Sequence, residues 1–437
     1  MRRLLALAAA CGLLNASAWG QAPVYVVDDT PSPTVDFSDL PAAIQAVPEG
    51  ALLLVRAGTY SSFTLTKSLS IVGYYGEVPK IKSPVVIRDL ASDAFVLLKG
   101  VSIRNPSTFP LTPEYRALTL DNNEGRIWIE DTEIGTPSSG FGFGRPGLQA
   151  TDCSSVVLEG SKIAGGYGGT VMMPDPFSIT GLIVFSPGGA GAGIRALRSR
   201  LTAINSTFTG GHGGSFGQID GYSLWGSDGG IGVEAEDCEL YLSSTTIQGG
   251  HGFTNGFLYG PCPKDGGAGL VLKGPDSSVH HLDCHFLGGG VGLSLSFGCQ
   301  DDYGPGIPIN APTGSVFELP GEFLGLQTPP IIASSTSAKV ELVGGTPGGV
   351  AFLGISLASE DLPLPAFSGV LLLAGPTLIV PLGALPSAAS LTFDFTLGPL
   401  PSSIEAIPFF AQCAYIEPTG ELVIGAANAG FIVDSSF

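Results

Sequence analysis

The chain has 437 residues, enough for two or three ordinary domains or for one repeat array beside a compact domain. Charged residues make up only 13%, while Gly (64) and Pro (34) are abundant, which argues against helical bundles with charged faces and for short strands joined by turns. Nineteen Lys and Arg against 38 Asp and Glu argue against nucleic acid as a partner, because phosphate binding needs clustered cations; an anionic polymer would need a local basic site or bridging ions.

Residues 1–20 read as a secretory signal peptide, with Arg2-Arg3 as the basic end, Leu4 to Leu14 as the apolar run and Ala16-Ser17-Ala18 as the cleavage site. That places the mature chain outside the cell or on its surface, where disulfides are permitted. No later stretch is expected to span a membrane; Val370 to Leu382 is interrupted by Gly375, Pro376 and Pro381. Residues 36–50 predict a short amphipathic helix, with Leu40, Ala43, Ile44 and Val47 on one face, Ser38 as a cap, and Pro48 and Gly50 as the stop. Strands follow at Ala51 to Arg56, Phe63 to Thr66 and Leu69 to Gly73.

Asp36-Phe37, Ala43-Ile44, Gly50, Leu54 to Tyr60 and Leu69 to Gly73 together resemble the opening of right-handed parallel β-helix proteins of the pectin-lyase-like group. The resemblance covers about forty residues. It implies a helix-capped solenoid and no particular activity.

An internal repeat points the same way. A phrase ending in Gly-Gly recurs at Ile163 to Gly166, Phe208 to Gly211, Ile247 to Gly250 and Phe286 to Gly289. Taking Ile163, Phe208, Ile247 and Phe286 as anchors, residues five and seven earlier are apolar in most copies, and Ile103 and Ile134 fit the template without the glycines. Stacked at roughly 4.8 Å, the anchors would form one apolar column, with polar bends at Asp131-Thr132, Asn205-Ser206, Ser244-Thr245 and Asp283-Cys284. The excess length follows the anchor every time, so insertions near 136–146, 167–192, 212–231, 251–268 and 290–311 leave from one corner. The Pro-rich passage Gly304 to Pro312 is read as the end of the solenoid, which occupies 21–310. Residues 311–437, with alternation at Leu391, Phe393, Phe395 and Leu397, read as a small C-terminal β-sandwich. Gly345 to Gly348, Phe410 to Ala414, Gly420 and Asn428-Ala429 resemble a C-terminal β-domain of large secreted bacterial proteins, which implies no activity. The fold class is therefore all-β: a capped right-handed parallel β-helix followed by a sandwich.

His212 and His251 follow Gly-Gly directly, one repeat apart, and Tyr167 holds the matching place before them, so stacking puts the three in one line. Such a line could contact sugar, bind a metal, or serve only as a ladder along the turn. Gly211-His212-Gly213 and Gly250-His251-Gly252 resemble the Gly-His-Gly element of polygalacturonases, but that family's Asn-Thr-Asp and Arg-Ile-Lys elements are absent and Asp301-Asp302 follows both copies. The catalytic phrases of pectinesterases are missing too. Asp220 and Asp228 are the acids to test for catalysis, together with His212 and His251; Asp265, Asp301 and Asp302 lie in other insertions. Lyases of this fold use carboxylates to hold Ca²⁺, which makes Ca²⁺ the one cofactor to consider. Tyr222, Trp225 and Tyr259 join Tyr167, His212 and His251 as candidate ligand contacts, because aromatic faces suit sugars; packing of the insertions on one another is the alternative. His280, His281, Cys284 and His285 alternate in direction along a strand, which is awkward for one tetrahedral metal site, and His281 is expected inside. Cys262 and Cys299 hold equivalent places in adjacent repeats and are predicted to form a disulfide, while Cys153, Cys238, Cys284 and Cys413 are expected as thiols.

The reading is a non-catalytic extracellular protein that binds a polysaccharide or cell-surface glycan, or has a structural or adhesive role. The alternative is a polysaccharide lyase or glycoside hydrolase working in a groove lined by the insertions.

Overall fold

The computed structural model describes residues 22–30, 32–104, 116–135, 144–168, 170–174, 183–187, 189–214, 227–253, 264–291, 304–364, 367–387 and 390–437. These residues are almost entirely β, with large parallel sheets and one α-helix, Leu40–Ala46. The helix is shorter than its apolar pattern suggested, and its cap is Asp39, one residue past Ser38. The Asp39 carboxylate accepts from both Leu40 N and Ser61 N, so it ties the helix start to the first strands.

The chain visits three parallel ladders in a fixed order. One runs through Val85–Arg88, the first part of Leu118–Glu130, the first part of Leu148–Glu159, Ile194–Leu197, Val233–Glu236, Leu270–Lys273 and Ile309–Asn310. A second, the central ladder, runs from Val24–Val27 through Leu52–Val55, Leu69–Gly73, Phe95–Lys99, the later parts of the same two long strands, Arg200–Ile204, Glu239–Ser243 and Ser278–Leu282 to Val316–Glu318. The third carries the anchors: Ile81, Ile103, Ile134, Ile163, Phe208, Ile247 and Phe286 sit in direct register, which makes the expected apolar column real. All three ladders contribute to one core. Parallel pairing continues to Glu318, past the Pro-rich passage read as its end.

Between the central ladder and the anchor ladder the chain bends through Asp131, Asn205, Ser244 and Asp283, each with φ between 47° and 52°. Short polar side chains tolerate this left-handed region best. Gly160 (φ +57°) takes the same place in one repeat, where an added Cβ would strike the Asp131 carboxylate. The residue after each bend turns inward and donates to the carbonyl two residues back: Thr132 to Glu130 O at 2.8 Å, Ser161 to Glu159 O at 3.0 Å, Ser206 to Ile204 O at 2.8 Å and Thr245 to Ser243 O at 3.0 Å. Cys284 holds the fifth place, its Sγ 3.3 Å from Leu282 O. Cys153 and Cys238 do the same at the other bend, with Ser199 between them. All three are free thiols, as is buried Cys413.

The Gly-Gly phrase has a packing cause. After each anchor the chain runs outward through the doublet and returns through a second glycine, and the two arms interleave. Gly191 N donates to Gly166 O, Gly211 N to Gly191 O, Gly230 N to Gly211 O, Gly250 N to Gly230 O and Gly267 N to Gly250 O, all at 2.7–2.8 Å. A Cβ on Gly211 would lie 1.9 Å from Gly166 O, and one on Gly250 would lie 1.8 Å from Gly211 O. None of these glycines has a positive φ, so close backbone approach is what requires them.

Apart from the antiparallel pair Thr170–Pro174 and Ile183–Pro187, the remaining strands are mostly antiparallel and form sheets of three, five and two strands between Leu324 and Val433. They pack on the outward face of the central ladder. Leu52, Leu54, Val72, Leu97, Trp128, Val157, Ile204, Tyr241 and Leu282 share one apolar cluster with Phe409, Phe410, Ala427, Ala429 and Phe431. Phe410 meets Phe95 edge-on at 5.4 Å and Trp128 at 5.6 Å. Asp361 accepts from Ser155 and Thr202 at 3.1 Å each, and Glu405 accepts from Val24 N at 2.8 Å.

Two substitutions separate close approach from general intolerance of glycine replacement. Gly250→Ala must push a backbone oxygen aside and is expected to lower unfolding free energy in denaturant by about 2–3 kcal/mol. Gly135→Ala, whose Cβ would meet nothing within 4 Å, should stay within about 0.5 kcal/mol of the parent.

Candidate functional site

The outgoing arms place Tyr167, His212 and His251 at one edge of the glycine array. Tyr167 stacks on His212 with centroids 5.0 Å apart and rings inclined by 29°, and His212 stacks on His251 at 5.0 Å and 16°. That spacing is close to the strand pitch. All three residues are exposed.

The imidazoles are also tied to the main chain. His251 N donates to His212 Nδ1 at 3.2 Å, and Gly290 N donates to His251 Nδ1 at 3.0 Å. A nitrogen that accepts carries no hydrogen, so the neutral rings hold theirs on Nε2. Burial, followed by the neighbouring His251, pulls the His212 pKa below its ordinary value. His212 has both faces covered by its neighbours, so what it presents outward is a ring edge with an N–H donor. Stacking of sugar on its face, one expectation from sequence, is unavailable at this ring.

Of the acids singled out in the sequence, Asp228 is exposed on a returning arm, next to buried Ser227, whose Oγ accepts from Gly214 N at 2.8 Å. Asp265 is exposed and accepts from Gly304 N at 2.8 Å, a bond between neighbouring returning arms. Asp220, Tyr222, Trp225, Tyr259, Asp301, Asp302 and the predicted Cys262–Cys299 disulfide lie outside the described residues. Among the described residues no group of three or more His, Cys, Asp and Glu side chains is placed to hold a metal ion.

The His280 to His285 cluster divides as strand alternation requires. His280 points outward, stacked between Tyr241 (5.0 Å) and Phe317 (4.8 Å). His281 turns inward against Phe286, its Nδ1 buried without a hydrogen-bond partner, and burial lowers its pKa.

Reasoning from the repeat missed a second constellation, on the outward face of the central ladder. Lys99, Glu130 and Glu159 occupy one register position in successive repeats and are all buried. Three charged residues at the same template position were the available signal.

No family model matches this chain, and no curated protein matches it. Among solved structures, a superoxide reductase (neelaredoxin) from Ignicoccus hospitalis and a single-substitution variant of it align at 12% identity, covering 26% of this chain and 81% of that one. The TM-score is 0.15, and a likeness of that size carries no argument about fold or chemistry.

Selective ¹⁵N labelling of histidine tests the ring row. At pH 7.5 His212 and His251 should show the Nε2–H tautomer, and His212 should gain its second proton only below the ordinary imidazole value. Because that pKa is lowered in the fold, the stability it contributes is present above the ordinary value and lost as pH falls through the folded one. An Nδ1–H tautomer would contradict the backbone bonds.

Proposed function

We propose that the protein is an exported, non-catalytic glycan-binding protein of the cell exterior. In this reading the parallel ladders form a right-handed β-helix of the pectin-lyase-like kind, the helix Leu40–Ala46 caps its first turn, and the C-terminal sheets form a sandwich lying along its flank. The leader at residues 1–20 supports export. The three ladders visited in constant order, with one shared core, support the solenoid.

The observation that carries the binding reading is the exposed row Tyr167–His212–His251, held on arms whose glycine packing leaves them little freedom. A row of ring edges offers hydrogen-bond donors at a regular pitch. Hydroxyl and ring oxygens of a polysaccharide can accept them in sequence along the chain. Fixed donors bind with little loss of side-chain freedom, which favours a row on rigid arms over one on loose loops. A hydrolase or lyase would need acid and base groups within reach of one bond. Asp228 stands exposed on a returning arm, and Asp265 is bonded to Gly304 N of the neighbouring arm.

The test is a glycan array with the mature chain, followed by calorimetry on the best ligand. Replacing Tyr167, His212 and His251 together by Ala should weaken binding at least about tenfold, roughly 1.4 kcal/mol, with the thermal transition retained. Absence of binding across the array would overturn the reading. So would cleavage of any polysaccharide that is lost in D220A or D228A.

A further inference from the structure

The seam between the central ladder and the C-terminal sheets contains two carboxyl groups and one ammonium group in one line. Lys99, Glu130 and Glu159 are 0–2% exposed. Lys99 Nζ donates to Glu130 Oε1 and, across the seam, to Ala429 O at 2.5 Å. Glu130 is fully used: Oε1 also accepts from Asn428 Nδ2 at 3.1 Å, and Oε2 accepts from Trp128 Nε1 at 3.0 Å and Ala429 N at 2.8 Å. Glu159 differs. Its Oε2 is buried with no hydrogen-bond partner.

The groups facing Glu159 are Glu130 and Asp131 from its neighbouring strand, Lys99 one strand further, and the Cys413 thiol from the sheet packed above. Lys99 is the sole cation among them, and Glu130 already binds it. A second ionised carboxylate here would be a buried charge without counter-charge or donor, which a protein interior does not hold; the group takes a proton instead.

We propose that Glu159 is a proton-dependent latch: the C-terminal sheets stay docked on the parallel array while its carboxyl keeps its proton, and they lift away when base removes it. Burial is the largest influence on Glu159, and it pushes the carboxyl well above its ordinary value; Glu130 and Asp131 push the same way, and Lys99 opposes them. Folded and docked, the acid is neutral; undocked and solvated, it ionises near its ordinary value. Its contribution to docking is therefore complete below the ordinary carboxylate range and is lost as pH rises through the docked value. Asp361, the other buried acid of the seam, is also raised by burial, but two side-chain hydroxyls donate to it.

Trp128 reports on the seam directly, being 2% exposed and in contact with Phe410. In a W19F/W225F background, which leaves Trp128 as the one tryptophan, its fluorescence is followed from pH 5 to pH 10 with far-ultraviolet circular dichroism alongside. The expected result is a red shift at a pH above the ordinary carboxylate range, with the strand signal retained. Glu159→Gln, which imitates the protonated acid, should abolish the shift or move it upward by about one pH unit or more. Asp361→Asn should leave the midpoint in place. The proposal is overturned if Trp128 stays buried throughout, if Glu159→Gln shifts at the same pH as the parent, or if emission and strand signal are lost together in both.

Discussion

Every turn of the parallel array must lay its three strands directly on those of the turn before, at the spacing that backbone hydrogen bonds impose. The rest of the molecule inherits this constraint. Because register is exact from Ile81 to Phe286, whatever a template position holds is stacked on its counterpart: apolar side chains become a column, inward hydroxyls and thiols become a row of bonds to bend carbonyls, and glycines become a lattice. The cysteines at 153, 238 and 284 follow the same logic. Each takes the place of a hydroxyl at a bend, and the free thiols need no redox explanation.

The outer face of the central ladder is covered. Trp128, Val157 and Leu97 on the outside of the central ladder are as buried as Ile127 and Ile129 on the inside. The parallel and antiparallel parts therefore share a core surface, held by the apolar area they bury together. Lys99 and Glu130 sit within that surface and bond to the backbone of the opposing sheet, which fixes the register of one part on the other. Buried ionic contacts are better attested as devices of specificity than of stability.

The core column was legible because stacking converts spacing into contact, and the bends were legible because left-handed corners select Asp, Asn and Ser. The docked face was written just as plainly. Leu52-Leu53-Leu54-Val55 and Phe95-Val96-Leu97-Leu98 do not alternate, and an unbroken apolar run marks a strand covered on both sides. A reading that sought only the inward positions passed over it. The glycine doublets were legible as a repeat but not as a packing contact, since sequence alone cannot show that a returning arm lies against the outgoing one. Tyr167, His212 and His251 fell into line by arithmetic, whereas the covered ring faces depend on side-chain directions that no spacing reveals.

The repeat that lacks a ring separates what the backbone of the arms requires from what the side chains add. Gly290 stands one repeat beyond His251. Its N–H bonds to His251 Nδ1 as the His251 N–H bonds to His212, and its carbonyl accepts from Gly252 N as the His251 carbonyl accepts from Gly213 N. The backbone pattern is complete without a side chain at that place. The arm geometry thus imposes no ring at 290, whereas the imidazoles at 212 and 251 each accept a backbone N–H from the arm that follows. The exposed ring edges are the part of the row that those bonds leave unused, and the proposed glycan contacts would fall there.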